Sequence, residues 1–262
     1  RRQRQMCIRD RLNDFLITVD IDWAPDLAIA ETAKYLIENE VKATWFVTHA
    51  SPEVERLKEY PQLFELGVHP NFKNIRLVPD EIKTIMFDLN KIVPEAKSIR
   101  THSLVQSTPL IKTLREDYNL LYDVSLFLPL TPNILPHHLY FSENSSICRI
   151  PYFWEDDIEM FNPKGSFAFS DENFTAEGIK IFNFHPIHIS LNSYSMTNYN
   201  SMKSEFNLPE CEGYELDKFK NNTTQGTGNF FKELVTFIKN PENNHGYKIC
   251  ELAEKWSKID NE

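Results

Sequence analysis

Asp, His and Arg side chains recur in this sequence at the ends of short runs of β-branched and aromatic residues. The carboxyl ends of parallel strands meet at one edge of a sheet, so residues far apart in the chain would converge there. We therefore expect one polar cluster at the strand ends. The side chains concerned are Asp20, Asp22, His69, Arg100, His102, Asp123, His185 and His188.

These residue types suit the metal-assisted hydrolysis of an amide. One Asp and two His side chains provide about three protein ligands for a zinc-like ion and leave one position open. A second Asp, two residues away on the same side of an extended strand, can reach a bound water as a base. A His that a nearby carboxylate keeps protonated can deliver a proton to the leaving amine.

The elements that must hold this cluster alternate between strands and helices. Short apolar runs predict strands at 15–19, 43–47, 67–69, 96–100 and 120–124. Helical spacing of apolar residues predicts helices at 25–41, at 52–66 with a bend at Pro61, at 82–93, and from an N-cap at Thr108 to Tyr118. This order is typical of a parallel sheet with crossover helices.

The second half of the chain is less regular. Residues 126–180 are predicted to form a long insertion with a strand at 146–150, and 180–184 are predicted to return to the sheet. The polar, Asn-rich stretch 190–227 predicts a long loop over one face. Helices are expected near 230–238 and 251–259. Since no repeat or linker divides the sequence, we expect 12–262 to form a single domain.

Composition narrows the partners. With 28 Lys+Arg against 38 Asp+Glu, the net charge of −10 makes nucleic acid and anionic membranes poor partners. The apolar runs are far shorter than the about 20 residues that span a bilayer. Four separated cysteines favour reduced thiols in a cytoplasmic protein. The basic residues 1–11, which lack an initial Met, are expected to be a non-native or disordered segment, with a native basic arm as the alternative.

Five features of the sequence resemble the motifs of the NodB-like polysaccharide deacetylases, carbohydrate esterase family 4. They are 18–23 (TVDIDW), 43–47 (ATWFV), 100–104 (RTHSL), Asp123 and 184–186 (FHP), in the order of that family. The resemblance implies an α/β fold, a distorted (β/α) barrel in a single domain. It also implies residue roles: Asp20 as catalytic base, Arg100 as the residue that holds it, Asp22 and His69 as metal ligands, His185 as general acid and Asp123 as the residue that orients it.

The second motif departs from the family pattern. Members usually carry two His residues four positions apart, but Lys73 follows His69 at that distance. The stretch 67–72 (GVHPNF) instead resembles a divergent branch associated with bacterial surface-polysaccharide gene clusters. His102, at a neighbouring strand end, is our expected third ligand for a divalent metal, which would be zinc or alternatively cobalt or nickel.

Three further residues are expected to contact the substrate. The aromatic rings of Tyr152 and Trp154 suit stacking on a sugar, with simple loop packing as the alternative, and His188 is expected to be either structural or substrate-contacting. The adjacent carboxylates at 155–157 either add to the site or form an exposed acidic turn.

Together these features predict a metal-dependent hydrolase that cleaves the linear amide C–N bond of an N-acylated amino sugar or glycoconjugate, with acetyl as the expected acyl group. Such an enzyme would serve surface polysaccharide biosynthesis. One alternative is a haloacid-dehalogenase-type phosphatase that uses Asp20 and Asp22, with Asp156 and Asp157 as its magnesium pair. The other alternative is a sugar-binding barrel that has no catalytic activity. The sequence leaves the oligomeric state open.

Overall fold

The computed structural model describes residues 14–162, 165–169, 174, 177–240, 242 and 246–260, so the expectation for 1–11 lies outside the described residues. One sheet of nine strands runs through the described part. The strands are β1 (Phe15–Asp20), β2 (Ala43–Val47), β3 (Phe64–Val68), β4 (Ser98–Ile99), β5 (Tyr122–Asp123), β6 (His137–Ser142), β7 (Ser145–Arg149), β8 (Trp154–Glu155) and β9 (Lys180–Phe184).

Helices connect and cover these strands. They are α1 (Asp26–Glu38), α2 (Pro52–Leu57), α3 (Pro79–Ile92), α4 (Thr108–Tyr118), α5 (Asp156–Phe161), α6 (Pro186–Leu191), α7 (Met196–Glu205), α8 (Gly213–Phe219), α9 (Thr227–Lys239) and α10 (Ile249–Asp260). Two 3-10 turns, His102–Leu104 and Leu208–Glu210, complete the described elements. No helix among the described residues has the length and apolar content that crossing a membrane requires.

The sheet is parallel except at one edge, and it curls on itself. The strand order is β6-β7-β5-β4-β3-β2-β1-β9-β8, with β6 antiparallel to β7. In a flat sheet β5 and β9, five steps apart, would be separated by about 24 Å. However, Ile150 N donates to Asp123 O in β5, and Phe153 N donates to Ile181 O in β9. Three residues span at most about 10 Å, so the sheet must curl. This is the expected distorted (β/α) barrel.

Two hydrophobic layers stabilise the barrel. An outer layer packs α1, α3, α4, α6 and α9 against the sheet, and an aromatic group around Phe182 and Phe230 is its densest part. A smaller inner cluster includes Phe46 and Ile181 and extends to Leu252 and Trp256 of α10, which covers the amino-terminal end of the barrel. The opposite end, where the strands finish, is left to the polar side chains.

The structure corrects several predicted elements. The helix predicted at 52–66 ends at Leu57, and 64–66 belong to β3, because Pro61 interrupts the helical hydrogen bonds and the following residues pair with β2. The N-cap of α4 is Ser107, whose Oγ accepts a hydrogen bond from Leu110 N at 3.3 Å, and it is not Thr108.

The stretch 190–227 is not a long loop. It contains α7, a 3-10 turn and α8. The polar composition reflects helices that expose most of their surface, since Met202 is the buried residue of α7 and Leu216 that of α8. Local caps start both helices: Ser195 Oγ accepts from Thr197 N, and Glu212 and Glu215 form a capping box.

Candidate active site

Three donor atoms meet at the carboxyl ends of β1, β3 and β4. Asp22 lies in a tight turn after β1, His69 directly follows β3, and His102 opens the 3-10 turn after β4. Asp22 Oδ1 is 3.1 Å from His69 Nε2 and 3.1 Å from His102 Nδ1. The two histidine nitrogens are 3.4 Å apart. The structure thus brings together the three residues that the sequence analysis expected to bind a metal.

The spacing of these donors fits a small divalent cation. With metal–ligand bonds of about 2.0–2.2 Å, the corners of a tetrahedron lie about 3.3–3.6 Å apart, close to the three separations found here. Burial raises the pKa of Asp22, but hydrogen bonds from His102 and His69 outweigh it and hold that pKa well below its usual value. The carboxylates of Asp20 and Asp22 raise the pKa of His69 against the effect of burial. A local potential that favours an imidazolium also favours a bound cation.

Asp20 lies beside this triad but has different partners. It is the last residue of β1 and is 1% exposed. Arg100 Nη1 donates to its Oδ1 at 2.9 Å, and Asn183 Nδ2 donates to its Oδ2 at 3.0 Å. Its Oδ2 is 3.8 Å from His69 Nε2, so it borders the donor atoms without belonging to the closest set. This is a suitable position for a base next to a metal.

Arg100 crosses the interior of the barrel to reach Asp20. It follows β4, is fully buried, and its guanidinium lies between the rings of Phe46 at 4.6 Å and Tyr152 at 4.4 Å. Its other nitrogens donate to Val124 O and to Thr18 Oγ1. A buried guanidinium held by five neighbours cannot move away, so it fixes both the charge and the position of the Asp20 carboxylate.

His185 lies at the opposite side of Asp22. It ends β9 and caps α6, and its Nε2 is 3.6 Å from Asp22 Oδ2. Asp156 accepts two hydrogen bonds from it, from the ring Nδ1 at 2.7 Å and from the backbone N at 2.9 Å. Burial lowers the pKa of His185, but the charge and hydrogen bond of Asp156 outweigh it and raise that pKa well above the usual value. His185 is therefore protonated near neutral pH.

The expected pairing of Asp123 with His185 is wrong. Asp123 Oδ2 accepts from Arg149 Nε at 2.7 Å, and its Oδ1 accepts from Ser125 N at 3.0 Å. Both oxygens therefore hold the β5–β7 edge of the sheet, and Asp156 takes the position beside the imidazole. The reason is the curl of the barrel, which brings the start of α5, and not the end of β5, next to β9.

The expected aromatic platform is also wrong. Tyr152 is fully buried under Arg100, and Trp154 is 1% exposed and stacks on Phe230 at 4.6 Å. Neither ring has a face for a sugar. His188 is buried as well, with its Nδ1 3.1 Å from Ser193 Oγ, and burial lowers its pKa to about 4. It is a neutral packing residue behind His185.

Three polar residues of the site escaped the sequence analysis as assigned site residues. Asn183 lies two positions before His185 in β9, and that spacing places both on one face of the strand. Glu155 Oε1 accepts from Asn183 Nδ2 at 3.3 Å, and burial followed by the charge of Asp157 raises the pKa of Glu155 to about 8. Asp156 is fully buried, so the stretch 155–157 is not an exposed turn. The signal available was a run of three carboxylates directly after four bulky apolar or aromatic positions.

Fold and site together define a metal-site hydrolase built on a distorted α/β barrel. The model of the WbmS-like polysaccharide deacetylase family matches residues 17–203, a range that includes each of the site residues described above. The chain belongs to this family and is a deacetylase enzyme. No curated protein matches the sequence.

Solved structures agree with this assignment. A protein of Bordetella bronchiseptica assigned as a polysaccharide deacetylase involved in O-antigen biosynthesis is 29% identical, with a TM-score of 0.73, and the match covers 86% of this chain and 90% of that one. A 4-alpha-glucanotransferase of Thermococcus litoralis, 12% identical with a TM-score of 0.53, covers 94% of this chain and 39% of its own, and shares the fold alone. The peptidoglycan deacetylase PdaC of Bacillus subtilis is 12% identical over 95% of this chain and 94% of its own, with a TM-score of 0.49.

Membership of this family overturns the phosphatase alternative. The geometry agrees, because a phosphatase nucleophile at Asp20 would need a free carboxylate oxygen facing substrate, whereas both oxygens accept hydrogen bonds from Arg100 and Asn183. The magnesium pair suggested for that alternative is also occupied otherwise, since both oxygens of Asp156 bind His185.

Proposed function

We propose that this enzyme is a metal-dependent N-deacetylase of an amino sugar within a surface polysaccharide or one of its glycoconjugate precursors. One observation carries the proposal: the triad of Asp22, His69 and His102 lies between a carboxylate fixed by Arg100 and an imidazolium fixed by Asp156. Amide hydrolysis needs a base on one side of the scissile carbonyl and an acid on the other, which is the order found along this cluster.

Asp22, His69 and His102 would hold the metal, with zinc as the expected ion and cobalt or nickel as alternatives. A divalent ion there would polarise the acyl carbonyl and lower the pKa of water. Asp20 would take the proton from the attacking water. Its hydrogen bonds to Arg100 and Asn183 keep it ionised and aimed at the triad, and this leaves a weak but well-placed base.

His185 would deliver a proton to the leaving nitrogen. Its Nδ1–H is committed to Asp156, so the proton available to substrate is on Nε2, the nitrogen that faces Asp22. Because Asp156 is fully buried, the imidazolium has no competing exposed partner on that side. Protonation of nitrogen makes the amine a leaving group, which an ester would not require; this favours an N-acyl substrate.

The sugar context of the proposal comes from similarity to the Bordetella bronchiseptica protein, which is involved in O-antigen biosynthesis. A precursor sugar of such a polysaccharide carries N-acyl groups of the type that this cluster could hydrolyse. The cytoplasmic location expected from the cysteines stays a prediction, as does the single domain over 12–262. The three cysteines that the structure describes, Cys148, Cys211 and Cys250, are free thiols.

The test is acetate release from N-acetylated amino sugars, free and nucleotide-linked, by protein stripped of metal and then loaded with zinc, cobalt or nickel. We expect activity only after loading, and Asp20→Asn should bind metal normally but lose at least about 100-fold in kcat. Lys34→Gln on the exposed face of α1 is the matched control and should keep full activity. A protein that binds metal but releases no acetate from any N-acetyl sugar would favour the non-catalytic barrel, and full activity of Asp20→Asn would exclude the proposed base.

A further inference from the structure

The turn that carries Asp22 has an unusual backbone. Ala24 N donates to Ile21 O at 2.7 Å, which closes a four-residue turn. Its two central residues are both left-handed, with φ of 37° at Asp22 and 54° at Trp23. Turns of this kind favour Asn, Asp and Gly at both central positions, and an aromatic residue there is rare and strained. The metal site explains Asp22, but it leaves the tryptophan unexplained.

Core packing does not account for Trp23 either, because its side chain is only partly buried. Its ring lies 5.3 Å from the ring of His102 at an interplanar angle of 80°, an edge-to-face contact. Its backbone N donates to Thr48 Oγ1 at 3.3 Å, and that oxygen is 2.8 Å from His49 Nδ1. The loop after β2 thus anchors the strained residue, and the ring it presents faces a metal donor.

His102 is the donor that most needs such support. Histidine ligands are normally oriented by a hydrogen bond from the ring nitrogen that does not bind the metal. Within the described part of the chain, the hydrogen bonds of the His102 ring all involve Nδ1, the nitrogen that faces Asp22 and His69. Its side chain is 21% exposed, and it is followed by two left-handed residues, Ser103 and Leu104. Its ring orientation is therefore set by contacts with other rings.

We propose that Trp23 is a positioning residue of the metal site, which holds the His102 ring edge-to-face so that Nδ1 points at Asp22 and His69. The left-handed turn lets one short segment supply a ligand from Asp22 and the support for another ligand from Trp23. This inference rests on the proposed metal site. It explains why a strained tryptophan occupies a turn position that a glycine would fit without strain.

The experiment measures zinc affinity of the full chain by competition with a chelator. Trp23→Asn keeps a residue that tolerates the left-handed turn and removes the ring, so we expect zinc affinity to fall about 10- to 100-fold. Trp23→Phe, which can still pack edge-to-face, should restore most of the affinity. Glu40→Asn is the matched control, since Glu40 is also left-handed, with φ 56°, but precedes β2 at the other end of the barrel; its zinc affinity should be unchanged.

Cobalt provides a second reading that a purely structural role would not change. The visible absorption of bound Co²⁺ reports its coordination geometry, and we expect Trp23→Asn, compared at saturation, to alter its intensity while Glu40→Asn leaves it as in the wild type. Trp23→Gly serves if the Asn variant does not fold, because glycine adopts the same turn. Zinc affinity and cobalt spectra unchanged in a folded Trp23 variant would overturn the inference.

A third variant separates this inference from the proposed function. Asp22→Ala removes a ligand and should abolish stoichiometric zinc binding. If it does so while Trp23→Asn binds zinc normally, only the positioning role is wrong. If Asp22→Ala also binds zinc normally, the metal site itself is wrong, and the positioning role falls with it.

Discussion

At the scale of single residues, the site shows how neighbours give identical side chains different tasks. Asp20, Asp22 and Asp156 are all carboxylates at strand or helix ends within one cluster. Asp22 faces two imidazoles, Asp20 faces a guanidinium and an amide, and Asp156 faces one imidazole twice. The first arrangement suits a ligand, the second a base, and the third a residue that keeps an acid protonated.

A pair of matched variants checks the last of these roles. Activity should fall as pH rises through the pKa of His185, because the leaving amine needs the imidazolium. Asp156→Asn removes the charge that raises this pKa, so the basic limb of the pH–rate profile should move to lower pH by about one unit or more. Asp123→Asn removes a carboxylate of the same type that binds Arg149 and Ser125, so the limb should stay in place. A limb that moves only in Asp123→Asn would restore the pairing expected from the sequence.

The residues that could be predicted are those that end a strand with a recognisable type. Asp22, His69 and His102 each follow an apolar run, and the convergence of parallel strand ends is a property of the fold class. Asp156 could not be predicted in the same way, since its place beside His185 depends on how far the sheet curls. Tyr152 and Trp154 were misjudged because sequence alone does not tell whether an aromatic ring lies inside a barrel or at its mouth.

At the scale of elements, one contact links the barrel interior to the last helix. Glu65 of β3 accepts hydrogen bonds from Cys250 N in the first turn of α10 and from Thr44 Oγ1, each at 2.9 Å, and also from Ser98 Oγ. Thr44 Oγ1 in turn accepts from Ile249 N. A carboxylate inside the barrel thus caps the helix that covers its amino-terminal end, where the positive end of the helix dipole favours a negative charge.

Glu65→Ala should therefore destabilise the fold by about 1–3 kcal/mol, because it leaves buried donors of α10 without an acceptor. Denaturant unfolding measures this loss, and Glu254→Ala on the exposed side of α10 is the control that should change stability little. Alkylation gives an independent check. Burial and then the charge of Glu65 raise the pKa of Cys250 to about 12, so its thiol should react faster in Glu65→Ala. Equal stability of the two variants would contradict the capping role.

Element types were predictable where periodicity was strong, as in α1, α3 and α9, and where a β-branched run preceded a polar residue. The failures have physical causes. Phe64 and Leu66 continue a helical pattern on paper, but Pro61 ends the helix and pairing with β2 makes them a strand. The helices α7 and α8 were missed because each buries only one residue, so no apolar periodicity marks them.

At the scale of the whole molecule, the site joins parts of the chain that are far apart in sequence. Asp22, His69 and His102 extend from three strands, and a bound ion would connect them at the open end of the barrel. Without a cation, the same end concentrates carboxylates in a buried region, and the raised pKa of Glu155, about 8, reflects burial and then the neighbouring charge of Asp157. A metal ion should thus stabilise the fold as well as support the reaction.

Zinc binding should therefore raise the melting temperature. An ion that binds only the folded state at 100 times its Kd adds about 2.7 kcal/mol, which corresponds to about 5–10 °C for a chain of this size. Calorimetry of metal-stripped protein with increasing zinc measures the shift. Asp22→Ala lacks the ligand shared by both histidines and should show almost none, whereas Glu254→Ala should show the full shift because its side chain lies at the other end of the barrel. An equal shift in Asp22→Ala would mean that zinc stabilises the protein from another site, and the metal assignment would then fail even if the enzyme needs metal.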